Sequence, residues 1–152
     1  MFLKEQIATL EKMIDHLELS ATRVSAKGID WHVDHMLKVI IKVSNALKNS
    51  DPLVYQRKYN LLRSVIFVSG KIPRGKGRAP KSVLPPEVIL KEDLFLQIKE
   101  ARKHLNEMKD IPANSNFKHP YFGVLNLKMS QRFLDIHTNH HLKIIREILQ
   151  SK

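Results

Sequence analysis

Apolar side chains return every three or four residues through most of this chain, and that spacing constrains its fold more than any other feature. A 3.6-residue period gathers such residues on one face of an α-helix, and that face must be buried against another element. In residues 2–25 the stripe is Ile7, Leu10, Ile14 and Leu17, with Lys4, Glu11, Lys12 and Glu18 off it and Gly28 just beyond. A second pattern runs from Asp30, a candidate cap, to about Asn49. It carries Met36, Ile40, Val43 and Leu47 opposite Asp34, Lys38, Lys42, Asn45 and Lys48. Pro52 suits the first turn of a third helix over 53–69, whose core candidates are Leu61, Leu62, Val65, Ile66 and Val68 and whose end is Gly70. Residues 91–109 put Leu94, Ile98, Ala101, Leu105 and Met108 on one stripe, and the last helix runs from Asn126, a good N-cap, to Gln150.

Between these segments lie two connections. "GKIPRGKGRAPKSVLPP" is rich in Gly, Pro and basic residues and reads as a long loop. "IPANSNFKHPYFG" reads as a structured loop. With no internal repeat and no convincing strand pair, the pattern predicts an all-α fold, a four-helix bundle with one additional helix and a long basic loop, in a single domain over 1–152.

The chain has 152 residues, enough for a core without disulfides or metal staples. It has no cysteine, so thiolate metal sites and cysteine nucleophiles are excluded, and a transition metal would have to use His, Asp or Glu. The charged N-terminal stretch has no signal-peptide core, and no apolar run approaches the ~20 residues of a membrane span. The expectation is a cytoplasmic protein with no membrane partner. The net charge of +11 suits an anionic partner, but the lysines are spread along the chain, and the plainer reading is solvated helix surfaces.

Chemistry concentrates in "HTNHH", residues 137–141. Leu134, His137, His141, Ile145 and Ile148 follow helical steps, so His137 and His141 share the apolar stripe one turn apart, with Cβ atoms roughly 5–6 Å from each other. Two imidazoles so placed can converge on one cation. His140 is a possible substitute ligand. A third ligand must come from a facing helix, where "WHVDHML" offers His32 and His35, and periodicity alone does not choose between them. A metalloprotease H-E-x-x-H is ruled out because Thr138 follows the first histidine, and there is no G-x-S-x-G. Asp34 falls on the polar face and reads as a solvated charge; His16 and His104 read as surface or boundary residues. "KIPRGKGRAPK" holds five basic residues in eleven but does not fit a phosphate-binding P-loop.

At three places the sequence resembles the DinB-like superfamily of metal-dependent four-helix bundles. "WHVDHML" resembles the aromatic-x-x-x-His-aliphatic signature of that family's second helix, and "HTNHH" resembles the H-x-x-x-H of its last helix. "HPYFG", His119 to Gly123, is similar to a box that precedes the last helix in some uncharacterised subfamilies. The resemblance implies a divalent metal, commonly nickel or zinc, held by His35, His137 and His141, and so selects His35 over His32. The family includes thiol-dependent S-transferases and many members with no known activity, and its members are often homodimers. The expectation is a metal-dependent hydrolase, through a metal-acidified water, or a thiol transferase acting on a small-molecule substrate, or else a catalytically silent metal- or ligand-binding protein. Where many members follow the last histidine with Arg-Gly-Gln, this chain has Leu142, Lys143 and Ile144. The alternative is a non-enzymatic basic helical protein that binds nucleic acid or another anion through the 71–81 loop.

Overall fold

The computed structural model describes residues 2–151. Its helices are α1 (Phe2–Met13), α2 (Ile29–Lys48), α3 (Leu61–Ser69), α4 (Lys91–Glu107) and α5 (Leu127–Leu149), and two strands, β1 (Asn116–His119) and β2 (Gly123–Asn126), precede α5. The four longer helices bury the stripes that the periodicity marks. α2 packs on both α4 and α5, and α1 packs on the same pair. Leu10, Met36, Ile40, Leu94, Leu105, Leu134 and Ile145 meet in one apolar cluster from which water is excluded. A mainly helical fold is therefore observed.

Three local expectations are corrected. The first helix stops at Met13 and passes through a 3-10 turn, Ile14–His16, instead of continuing to residue 25. Beyond Leu17 the apolar spacing lapses, and Ser20, Thr22 and Ser25 favour local turns over helix. The chain nevertheless stays on the core, with Leu17, Leu19 and Val24 partly buried.

The third helix is shorter than 53–69. Pro52 opens a 3-10 turn that ends at Val54, and α3 begins only at Leu61, where Asn60 caps it by accepting the Arg63 N–H at 2.8 Å. Gly70, at φ 65°, ends it in a left-handed conformation. Of its expected core residues only Ile66 is buried; Leu61, Leu62, Val65 and Val68 are exposed. The face turned inward is instead fixed by polar bonds. Arg63, itself buried, donates to the carbonyls of Phe122 and Lys58, and Asn60 Nδ2 donates to the Tyr121 carbonyl.

The third correction is the strand pair. Asn116 lies opposite Asn126 and His119 opposite Gly123, in an antiparallel hairpin. The "HPYFG" box is its turn. The His119 imidazole closes the turn by accepting the N–H groups of Tyr121 and Phe122 on Nδ1, at 3.1 and 3.2 Å. Gly123, at φ 71°, supplies a backbone conformation that a side chain resists. Asn126 then caps α5 by accepting the Met129 N–H at 3.1 Å, so the hairpin feeds directly into the helix that carries "HTNHH".

Candidate metal centre

α2 presents His32 and His35 one turn apart, and α5 presents His137 and His141 one turn apart, at the place where the two helices pack. His35, His137 and His141 form a near-equilateral triangle. Their ring centroids are 5.1 Å (35–137), 5.0 Å (35–141) and 4.6 Å (137–141) apart, and each offers a nitrogen within 4.8 Å of the other two. Three nitrogens bonded to one ion at ~2.1 Å lie at most about 3.6 Å from one another. Ring rotations that close the set by about 1–1.5 Å therefore suffice, and these three histidines can hold a metal ion.

The atoms around the rings favour that use. His35 Nδ1 lies 2.9 Å from the Val83 carbonyl, which can only accept. Nδ1 therefore carries the proton and Nε2 keeps its lone pair, the arrangement usual for a ligating histidine. His141 Nδ1 lies 2.9 Å from His32 Nδ1, and His32 Nε2 lies 3.1 Å from Ser25 Oγ. When His141 is the donor of that pair its Nε2 is left free, and His32 donates its Nε2–H to Ser25 Oγ. His137 Nδ1 is buried with no hydrogen-bond partner. A buried polar atom left unpaired costs ~1–3 kcal/mol, and an ion among the rings removes the reason for that cost.

Electrostatics keep the cluster neutral. Burial lowers the pKa values of His137 and His141 well below the ordinary 6.5, and each is lowered further by neighbouring imidazoles. Burial also lowers His35, against the opposing pull of the Val83 carbonyl, and takes His32 to about 4. At neutral pH these rings are uncharged, so no proton has to leave before an ion binds.

The triad sits against a cavity of about 900 Å³. Trp31 lies on the same cavity, stacked on His35 at 4.8 Å, and Phe133 is 5.5 Å from His137. The basic loop lines this space. Arg74 grips Glu147 of α5 through two bonds of 2.8 and 2.9 Å, the Arg78 N–H donates to Tyr121 Oη at 3.0 Å, and Val83 holds His35. His140 lines the cavity beside the triad.

Asp34 is corrected. It is buried at 2% exposure, turned toward α4, paired with Lys38 at 2.7 Å and accepting from Gln97 Nε2 at 2.9 Å. His104 is buried in α4 rather than on the surface, while His16 is exposed. Sequence reasoning missed the Val83 carbonyl, because a backbone acceptor 48 residues from its histidine leaves no mark in residue type. It also missed the His32–His141 bond. The spacing of "WHVDH" did signal a second inward imidazole, but only as a competitor for the ligand position.

Compared with models of protein families, with curated proteins and with solved structures, the chain matches none. Among the described residues no helix is long and apolar enough to cross a membrane.

Proposed function

We propose that this is a DinB-like metal-dependent protein in which His35, His137 and His141 hold one divalent ion, nickel or zinc, and which acts as a hydrolase or thiol transferase on a small molecule. The convergence of three neutral imidazoles from two helices on a large cavity carries the reading. Held by three protein ligands, such an ion keeps open positions and supplies Lewis acidity there to a water, a carbonyl or a thiol. The chain's own groups prepare that place. Val83 fixes the tautomer of His35, and His32 orients His141. Trp31 and Phe133 keep the surroundings apolar, which strengthens charge interactions inside. No Asp or Glu is among the described residues that line the cavity, and the side chains there able to relay a proton include His119, His140 and Tyr121.

Metal content per chain tests the reading, on protein purified without chelator or immobilised nickel. The wild type is expected to carry close to one divalent ion. His35→Ala, His137→Ala and His141→Ala should each lose it, while His104→Ala keeps it. His32→Ala should retain the site with affinity lowered by ~10–100-fold, as for loss of an outer partner. Retention of a full equivalent by all three single variants would reject this ligand set.

A further inference from the structure

The cavity has a one-sided charge. Five cationic side chains line it, Lys27, Lys42, Arg74, Arg78 and Lys118, and no carboxylate does so among the described residues. Arg74 is neutralised by Glu147. Lys27, Lys42, Arg78 and Lys118 make no ion pair with any described residue, and all four are exposed, which puts them at the mouth while the buried histidines form the floor. Between mouth and floor the walls are apolar, from Trp31, Val43, Phe117, Phe133 and Ile144. A volume of about 900 Å³ is at the upper end for sites that engulf a drug-sized molecule, far more than an inorganic anion fills.

We infer that the cavity selects an amphipathic organic anion, with its apolar body against the aromatic and aliphatic walls and its acidic group at the cationic rim. Neither half of the site suffices alone. Exposed lysines hold a small anion weakly, because solvent and salt screen them. Apolar walls bind a neutral body without discrimination. Combined, they favour a molecule with both parts and place its far end toward the triad. Only that last placement rests on the metal reading; selection at the rim does not need the ion.

Trp31 is the sole tryptophan, and its emission reports binding beside His35. The experiment titrates chelator-treated and metal-loaded protein with 4-phenylbutyrate, 4-phenylbutanamide and acetate, exciting only the indole. The acid is expected to bind at least ~tenfold more tightly than the amide and than acetate, with and without metal. The exposed double substitution Lys42→Glu, Arg78→Glu should bring the acid-to-amide ratio to about one and leave amide binding unchanged. Equal binding of acid and amide, acetate as tight as the acid, a ratio unmoved by the double variant, or no binding of any probe would each overturn the inference. Metal content of the same samples separates the two claims. An ion bound without acid preference sinks only the anion site. Acid preference without any bound ion sinks only the triad.

Discussion

His119 shows how one imidazole can be structural and still matter to a site. Its Nδ1 accepts two backbone N–H groups, so the proton of the neutral ring sits on Nε2, and the ring stacks on Phe122 at 4.4 Å. Burial takes its pKa to about 4. Between that value and the ordinary 6.5 the unfolded chain takes up a proton that the folded ring refuses. The contribution to stability is therefore complete above pH 6.5 and is lost as pH falls toward 4. In metal-free protein, urea unfolding should show stability dropping between pH 7 and pH 5. In His119→Asn, which keeps an acceptor but cannot titrate, that drop should be smaller by about 1–2 kcal/mol. Equal slopes for the two proteins would mean that the ring is not held neutral by the turn.

At the scale of elements, α3 separates what periodicity promises from what packing delivers. Ile66 is 4% exposed and its neighbour Val65 is 55% exposed. Ile66→Ala should cost about 2–4 kcal/mol, through lost burial and the cavity left behind. Val65→Ala should stay within about 0.5 kcal/mol, as surface changes do. Comparable losses in thermal or urea unfolding would mean that Val65 is covered in solution. The role of α3 is less to fill the core than to hold the hairpin turn, through Arg63 and Asn60. The hairpin in turn fixes the start of α5, and hence the height at which its histidines face α2.

Across the whole molecule, the loop over residues 71–83 lines one side of the cavity. The loop's fastenings are few and mostly exposed, so they cost little to undo. The Arg74–Glu147 pair is open to solvent, which screens it, so it adds little to global stability. Arg74→Ala should accordingly leave the unfolding midpoint nearly unchanged while accelerating trypsin cleavage at Lys76 and Arg78. Unaltered cleavage there would mean that Tyr121 and Val83 suffice to hold the loop.

Residue identity alone determined the helical class, the inward stripes of α1, α2, α4 and α5, and the pairing of His137 with His141 one turn apart. These follow from local geometry, because a 3.6-residue period fixes which side chains share a face whatever lies opposite. The resemblance of "WHVDH" to a known signature pointed to His35, which the fold places in the triangle. The hairpin escaped notice because four-residue strands are too short for alternation to register. The exposure of Leu61 and Val65, the burial of Asp34, the Val83 and His32 contacts and the placing of the basic loop along the cavity were decided only by tertiary structure. Each depends on which segments distant in sequence come to lie together, and no periodicity within one segment encodes its neighbour.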